Sequence, residues 1–332
     1  MKERLRIPAE WERHDCCWLA FPYLAAEWPF NLEGAQRTIA ALCRAIATAG
    51  NEQVRLLVRD RDIEAVARNL IGASNKIDYV AADYGDCWVR DTLPLLGHTP
   101  SGALGAVGFR FNGWGRKFED ALDVEIGRWF TDHLGAARLE HDLVLEGGAL
   151  EFDGRGTFIT TKSCVLNDNR NPGFGPTDVE NALRSLLFVE RVIWLERGLN
   201  HDHTDGHVDM IARFVAADTV MCIRANTNDP NAEVIRSIET VLRDAGLTVR
   251  TVPSPGLVFA PDGAPIPANY CNFYVANEAV MVPFFGVPED GEAHDEIAAA
   301  FPSRAVIGLS ARDLLWGGGA FHCATQPQPT LP

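Results

Sequence analysis

Apolar residues recur three and four positions apart in five segments of the chain, the spacing that places side chains on one face of a helix. Each segment also has a plausible start signal for a helix. The predicted helices cover residues 33–49, 119–134, 177–188, 230–245 and 291–301. Short runs of β-branched and aromatic residues lie between them and predict strands. The predicted strands cover residues 54–58, 105–111, 156–161, 191–195, 207–215, 219–223, 248–252, 272–277, 279–285 and 304–309.

The predicted elements repeat in the order of two strands, a helix and another strand. Each cycle takes about 50 to 65 residues, so the chain has room for about five cycles. This alternation predicts an α/β fold, and the repeat favours a ring or propeller over an open doubly wound sheet. No GxGxxG motif follows the first predicted strand, so a dinucleotide-binding fold lacks its usual signal.

The composition is that of an ordinary globular protein. The 332 residues are 47% hydrophobic and 23% charged, which allows a large core. No low-complexity stretch or linker interrupts the chain, so we expect a single domain over residues 1–332. The first residues show neither a secretory leader nor a membrane span, which predicts a cytoplasmic protein without a membrane partner. The sequence leaves a homo-oligomer open.

Charge and cysteine usage narrow the class of ligand. The net charge of −15 disfavours nucleic acid, whose phosphates require a basic surface, and an acidic field attracts small cations. The eight cysteines are scattered without a CxxC pair, so they are expected to be reduced and mostly buried. At most one or two of them should be reactive.

The densest group of titratable residues is the segment HDHTDGHVD, which runs from His201 to Asp209. If its latter part is a strand, His207 and Asp209 point to the same side, where an imidazole can act as acid or base beside a carboxylate. The alternating His and Asp also suit a pair of divalent metal ions, as in hydrolases that release urea from guanidines. A solvated polar loop is the third interpretation.

Three further segments carry candidate residues. Trp88 and Asp91, in DCWVRD, offer a ring face and a carboxylate to a flat cation. Glu146 stands before paired glycines, where the backbone allows close approach. Cys323 follows a run of three glycines that includes Gly318, a setting in which a ligand can reach a nucleophile. Each segment taken alone also has an ordinary structural explanation.

Together these residues suit the hydrolysis of a guanidinium group. This group is planar, cationic and stabilised by resonance, so its hydrolysis needs carboxylates for its N–H donors, a strong nucleophile and an acid for departing ammonia. Asp91, Glu146 and Asp209 can supply the carboxylates. Cys323 can act as the nucleophile once it is a thiolate, and His207 can act as the acid.

The same segments resemble the agmatine deiminases of the guanidino-group-modifying (pentein) superfamily, which includes the bacterial peptidylarginine deiminase. The resemblance covers nearly the whole chain. It runs through PAEWERHDCCWLAFP, DCWVRDTLP, FNGWGRKF, LEGGALEFDGRGT, LNDNRNPG, TDGHVDM, NYCNFYVAN and GGGAFHCATQPQP. It implies a five-bladed α/β propeller of ββαβ units around a central active site, with no metal and no organic cofactor.

The resemblance also implies a mechanism and a set of site residues. The thiolate of Cys323 attacks the guanidinium carbon, ammonia leaves, and water hydrolyses a covalent amidino-cysteine intermediate. His207 acts first as acid and then as base. The implied substrate-binding residues are Trp88, Asp91, Asp209, Asn272 and Gly318, with Glu146 beside the two aspartates.

Agmatine is the substrate that the resemblance implies, with N-carbamoylputrescine and ammonia as products. Arg116 departs from the usual FNAWGGK segment and adds positive charge near the expected site, so free or peptidyl arginine stays an alternative substrate. The resemblance gives His201 and His203 no chemical role, and it offers Asp202 or Asp205 to the distal amine of the substrate. A metal-dependent ureohydrolase and a guanidine binder without catalysis are the remaining alternatives.

Overall fold

The computed structural model describes residues 4–226 and 229–332. Its helical segments are α1 (Leu32–Thr48), α2 (Arg61–Ile71), α3 (Val89–Thr92), α4 (Gly113–Arg116), α5 (Ala121–Leu134), α6 (Lys162–Val165), α7 (Pro176–Leu186), α8 (Ala232–Asp244), α9 (Asp290–Ala300) and α10 (Arg312–Leu315). The five predicted helices are confirmed as α1, α5, α7, α8 and α9, with ends within about two residues of the prediction. The prediction lacks α2 and the four-residue segments.

The strands are short and numerous. They are β1 (His14–Ala20), β2 (Gln53–Val58), β3 (Ile77–Ala81), β4 (Leu95–His98), β5 (Leu104–Arg110), β6 (Ala137–Val144), β7 (Glu151–Phe152), β8 (Thr157–Thr161), β9 (Arg191–Leu195), β10 (Ala212–Ala216), β11 (Thr219–Arg224), β12 (Thr248–Pro253), β13 (Leu257–Phe259), β14 (Pro265–Pro267), β15 (Tyr274–Val275), β16 (Ala279–Phe284), β17 (Ala305–Ser310) and β18 (Gln326–Pro329). Two predicted strands are shorter than expected, since the segment 207–215 is extended only from residue 212 and the segment 272–277 only at residues 274–275.

Five sheets share one pairing pattern. In the first complete example, β4 and β5 pair antiparallel, and β6 joins β5 in parallel after the crossover through α5. The same pattern holds for β7–β8–β9, β10–β11–β12 and β15–β16–β17. The fifth sheet unites the two ends of the chain, because β18 pairs antiparallel with β1, and β2 and β3 add in parallel. These ββαβ units confirm the α/β fold, and their number agrees with the implied propeller.

The core lies between each sheet and the helix that crosses over it. In α1, Ile39, Leu42 and Ile46 share a buried face, and the Asn31 side chain caps the first turn by accepting the backbone N–H of Gly34 at 2.9 Å. The central strand β16 reads as a continuous apolar run, as expected for a strand covered on both faces. All eight cysteines are buried and none forms a disulfide, as predicted. Within the described ranges, no helix has the length and apolarity needed to cross a bilayer.

Candidate active site

Asp91 lies in α3, directly after the turn that carries Trp88. Its side chain is buried, and both carboxylate oxygens accept a hydrogen bond. The indole N–H of Trp114 donates to Oδ2 at 2.8 Å, and the backbone N–H of Gly148 donates to Oδ1 at 2.8 Å. Burial raises the pKa of Asp91, although the nearby His207 acts to lower it. The two donors fix the carboxylate in one orientation and leave acceptor capacity on each oxygen.

Glu146 follows β6 and precedes a single 3-10 turn at Gly147–Ala149. The side chain is fully buried, and Arg170 Nε donates to its two oxygens at 2.9 and 3.0 Å. Burial acts to raise the pKa of Glu146, but His207 and Arg170 together hold it below its usual value. Glu146 is therefore ionised and already paired with a cation of the protein.

His207 and Asp209 lie in a turn, so the strand prediction for residues 207–211 is wrong. Val208–Met210 form a single 3-10 turn, and β10 begins only at residue 212. The physical reason is local: Gly206 has a φ of 104°, and the backbone N–H of His207 donates to Thr204 Oγ1 at 3.1 Å. The backbone N–H of His207 is therefore unavailable for hydrogen bonding to a neighbouring strand.

The imidazole of His207 lies between two carboxylates. Its Nδ1 is 3.8 Å from Asp91 Oδ2 and its Nε2 is 3.7 Å from Glu146 Oε2, and the side chain is 1% exposed. Nε2 is buried without a hydrogen-bond partner among the described residues. Burial acts to lower the pKa of His207, but Asp91 and its other neighbours raise it well above the usual value. The neighbouring carboxylates therefore favour the protonated form of the ring.

Cys323 lies in the loop after α10, beside Asp209. Its Sγ is 3.6 Å from Asp209 Oδ2 and 3.1 Å from Asn272 Nδ2. Burial raises the pKa of the Cys323 thiol well above its usual value, and the charges of Asp209 and Asp91 raise it further. The sulphur is therefore protonated in the free protein at neutral pH.

Asp209 presents one occupied and one free oxygen. Its Oδ2 is 2.7 Å from His322 Nδ1 and 3.2 Å from Asn272 Nδ2. Its Oδ1 is buried and has no hydrogen-bond partner in the described ranges. Leaving a buried carboxylate oxygen without a donor is costly, so this atom marks a position for the N–H of a ligand.

The predicted catalytic residues meet around Gly148. A Cβ at Gly148 would lie 2.7 Å from His207 Nδ1, 2.8 Å from Asp91 Oδ1 and 3.1 Å from Asp209 Oδ2. The absence of a side chain at this position allows the three groups to converge. The structure thus brings together Cys323, His207, Asp91, Asp209 and Glu146.

A cavity of about 410 Å³ opens over Cys323 and Asp91. Its aromatic lining residues are Trp88, Trp114, Phe118 and Trp316. Its acidic lining residues are Glu27, Asp86, Asp91, Glu119, Asp120 and Asp123. No lysine or arginine of the described chain lines it, and Arg116, which the sequence placed near the site, is exposed outside the lining. The cavity suits an elongated cation with apolar methylene groups.

Asp86 and Asp123 are lining carboxylates that form no ion pair with a described residue. Asp123 is 3% exposed, and its Oδ1 accepts the backbone N–H of Gly85 at 3.0 Å and of Asp86 at 3.2 Å. Burial raises the pKa of Asp86 to about 6 and the pKa of Asp123 to about 7. A cation bound between them would favour their ionised forms.

Three of the expected substrate-binding residues, Trp88, Asp91 and Gly318, line the cavity. Gly318 has a φ of 101°, and a Cβ there would lie 1.9 Å from His203 Cε1, so no other residue fits. Asn272 is fully buried behind the sulphur, and its Oδ1 accepts the backbone N–H of Cys323 at 3.3 Å. Its expected contact with substrate stays a prediction.

The segment between His201 and Asp205 forms part of the rim. His201 and His203 line the cavity, whereas Asp202 and Asp205 do not. Asp202 Oδ1 accepts the backbone N–H of Thr204 at 2.8 Å, and Asp205 pairs with two cations of the protein. Asp205 is therefore engaged elsewhere, whereas Oδ2 of Asp202 is buried without a hydrogen-bond partner among the described residues.

The alternating His and Asp residues do not gather into a metal pair. In residues 4–226 and 229–332, the one group of three potential ligands whose atoms lie within 4.8 Å of one another is Glu146, Cys164 and His207. Both oxygens of Glu146 already accept hydrogen bonds from Arg170. Within the pattern, Asp209 Oδ2 instead lies 3.6 Å from the Cys323 sulphur, and His207 lies between Asp91 and Glu146.

Sequence reasoning missed the residues that hold the predicted ones in place. Trp114 donates to Asp91, Arg170 to Glu146, and His322 lies against Asp209. Trp114 has a φ of 51°, which is an unusual conformation for an aromatic residue. The neighbouring sequence does not predict this conformation. Membership of the segments FNGWGRKF, LNDNRNPG and GGGAFHCATQPQP was the one available signal for these residues.

Known proteins resemble this chain in sequence and in fold. A putative agmatine deiminase of Legionella pneumophila is 36% identical over 97% of this chain and 94% of the relative. An agmatine deiminase of Pseudomonas aeruginosa is 34% identical over 98% of this chain and 95% of the relative. The substrate-bound agmatine deiminase of C. jejuni superposes with a TM-score of 0.91 at 25% identity, over 99% of this chain and 97% of that one. The resemblance to the agmatine deiminases is thus confirmed. The family model of the Porphyromonas-type peptidyl-arginine deiminases matches residues 6–329, and the chain belongs to that family.

Proposed function

We propose that the protein hydrolyses agmatine to N-carbamoylputrescine and ammonia through a covalent amidino-cysteine intermediate, in one catalytic domain over residues 1–332. The observation that carries the proposal is the free Oδ1 of Asp209, a buried acceptor without a donor on the same carboxylate whose Oδ2 lies 3.6 Å from the sulphur of Cys323. A guanidinium group supplies several N–H donors and a positive charge in one plane. Relatives of the chain that are named agmatine deiminases support the choice of reaction.

Substrate binding activates the nucleophile in this proposal. Asp91 and Asp209 accept N–H bonds from the guanidinium, and its charge lies beside Cys323. Since the surrounding carboxylates raise the pKa of the thiol, an arriving cation lowers it again. The thiol proton then leaves as the substrate binds.

The chemical steps conserve atoms and protons. The sulphur of Cys323 forms a bond to the guanidinium carbon, and His207 protonates one terminal nitrogen, so that a C–N bond breaks and ammonia leaves. His207, now neutral, removes a proton from water as the oxygen attacks the amidino carbon. The C–S bond breaks as the hydroxyl proton of the tetrahedral intermediate passes to the sulphur, and N-carbamoylputrescine and the Cys323 thiol are released. The thiol proton that went to solvent on substrate binding converts the released ammonia to ammonium. Glu146 keeps His207 in place through both halves of the reaction.

The charge of the cavity favours agmatine over arginine. The primary ammonium of agmatine would lie near Asp86 and Asp123, which form no ion pair within the described ranges. The α-carboxylate of arginine would instead meet the acidic lining without a cation to pair with. We expect kcat/KM for agmatine to exceed that for free arginine by about 100-fold or more.

The test is the release of ammonia and urea from agmatine by purified protein pretreated with EDTA. Ammonia without urea supports the proposal, and Cys323→Ser should abolish it. Cys43→Ser, at a buried cysteine in α1 far from the site chemistry, is the matched control and should remain active. Urea that forms only after manganese is added would instead establish a ureohydrolase.

A further inference from the structure

His322 lies between two buried carboxylates, those of Asp209 and Glu10. Its Nδ1 is 2.7 Å from Asp209 Oδ2, and its Nε2 is 3.0 Å from Glu10 Oε2. The side chain of His322 is 3% exposed. An ionised carboxylate can only accept hydrogen bonds, so both ring nitrogens must donate. His322 therefore carries two N–H protons and a positive charge.

Glu10 is itself held as an anion. Arg90 Nη2 donates to its Oε2 at 3.0 Å, and Arg213 Nη2 lies 2.9 Å from its Oε1. The backbone N–H of Val275 also donates to Oε1 at 2.9 Å. Burial acts to raise the pKa of Glu10, but Arg213 and His322 hold it well below its usual range. Glu10 thus ties His322 to a rigid, charged part of the core.

We propose that Glu10 and His322 form a fixed ion pair that positions Asp209, saturates its Oδ2 and leaves Oδ1 for the guanidinium. His322 is then a positioning residue that does not touch the substrate. The inference rests on the proposed deimination, because Asp209 needs its free oxygen only if a guanidinium binds there. Nothing in the alternating pattern around Asp209 points to this pair, since Glu10 and His322 come from opposite ends of the chain.

The positive charge of His322 sets the pH range over which Asp209 can bind a cationic substrate. Titratable and charged groups face Asp209 from every neighbouring element, and they are Asp91, His207, Arg213, His322 and Cys323. Burial acts to raise the pKa of Asp209, but His322 and then His207 and Arg213 hold it below its usual value. Without the imidazolium, the pKa of Asp209 would rise, and a protonated Asp209 cannot bind a cation.

The experiment compares two variants, each of which replaces one residue of the Glu10–His322 ion pair and keeps the other. His322→Asn retains an amide near the Nδ1 position and can still donate to Asp209, but it carries no charge. Glu10→Gln removes the anion that holds the ring. For His322→Asn we expect kcat/KM for agmatine to fall about 10- to 100-fold, mostly through KM, and its acid limb to move to higher pH by about one unit. Glu10→Gln should show a smaller shift in the same direction.

His14→Asn is the matched control, because His14 is also buried and its Nδ1 is 3.4 Å from a carboxylate oxygen, that of Glu52, away from the cavity. It should leave KM and the acid limb unchanged. The proposal is overturned if His322→Asn and Glu10→Gln lower only the melting temperature and keep the wild-type KM and acid limb.

A second measurement separates this inference from the proposed function. Nitrogen-15 NMR of the free wild-type protein labelled at histidine, assigned by difference from His322→Asn or Glu10→Gln, should show that both His322 nitrogens carry a proton. A neutral tautomer of His322 would overturn the ion pair whatever the substrate is. If the wild-type protein has a doubly protonated His322 but releases no ammonia from agmatine, the ion pair stands and the proposed agmatine hydrolysis is contradicted.

Discussion

Replacing Gly148 with alanine introduces a single methyl group at the point where the catalytic side chains converge. The added Cβ would lie 2.7 Å from His207 Nδ1 and 2.8 Å from Asp91 Oδ1. Non-bonded atoms of this kind normally stay about 3.5 Å apart, so each neighbour would have to move by about 0.7 Å. Both neighbours are buried and hydrogen-bonded or charge-paired, so neither can swing away into solvent.

The expected loss follows from this displacement. A misplacement of about 1 Å can cost about 100-fold in rate, so we expect kcat/KM for Gly148→Ala to fall about 10- to 100-fold. Overpacking should lower the free energy of unfolding by about 1 to 3 kcal/mol. The backbone N–H of Gly148 still donates to Asp91, so the loss would report position and not a missing hydrogen bond.

Ammonia release from agmatine, measured at several concentrations together with the melting temperature, checks this expectation. Gly291→Ala in α9 is the matched control, because no described atom lies within 4 Å of the Cβ it would add, and alanine favours a helix. It should leave kcat/KM unchanged. A folded Gly148→Ala protein whose kcat/KM stays within about twofold of wild type would refute the argument.

Three further predictions concern the groups around the cavity. Trp114→Phe removes the donor to Asp91 Oδ2, so kcat/KM for agmatine should fall about tenfold, and steady-state kinetics would show it. Asp123→Asn should raise KM for agmatine, and it should also raise the melting temperature at pH 8. The reason is that burial raises the folded-state pKa of Asp123 from 3.8 to about 7, so its ionisation opposes folding as pH rises through that window. Alkylation of Cys323 by iodoacetamide in the free enzyme should still accelerate above pH 9, the usual pKa of a thiol, and a plateau below pH 8 would contradict the raised pKa.

The helices and strands were predictable from the sequence where one face, or both faces, of the element are buried. The β-branched and aromatic run of β8, the apolar run of β16 and the amphipathic face of α1 each carry the signal of their element in their own residues. A strand at the edge of a sheet lacks such a signal. β18 reads Gln-Pro-Gln-Pro, and prolines normally argue against a strand, yet pairing with β1 makes it extended. α2 is an exception that the prediction missed, because Ile63, Ala67 and Ile71 stand four positions apart and give it a clear apolar face.

The candidate site was predictable only as far as its motifs reach. Asp91, Glu146, His207, Asp209 and Cys323 stand in short segments whose residue types suit guanidine chemistry. Their partners lie far away in sequence, and the ring of His322 contacts Glu10 across 312 positions. No local pattern encodes such a pair, because it arises from the sheet that unites both ends of the chain. The same limit explains the error at residues 207–211, where a side-chain hydroxyl takes the backbone N–H that a strand would need.

The electrostatics of the free site argue that the substrate itself completes the catalytic machinery. Burial raises the pKa of both Asp91 and Cys323, so the site holds one carboxylate that resists ionisation and a thiol that keeps its proton. The imidazolium of His207 is shared between Asp91 and Glu146 and cannot also stabilise a thiolate. In the proposed mechanism, a guanidinium between Asp91 and Asp209 supplies the missing positive charge at the place where the sulphur attacks. Nucleophile activation and substrate recognition are then one event, which explains how a buried cysteine with so many anionic neighbours can still act as a nucleophile.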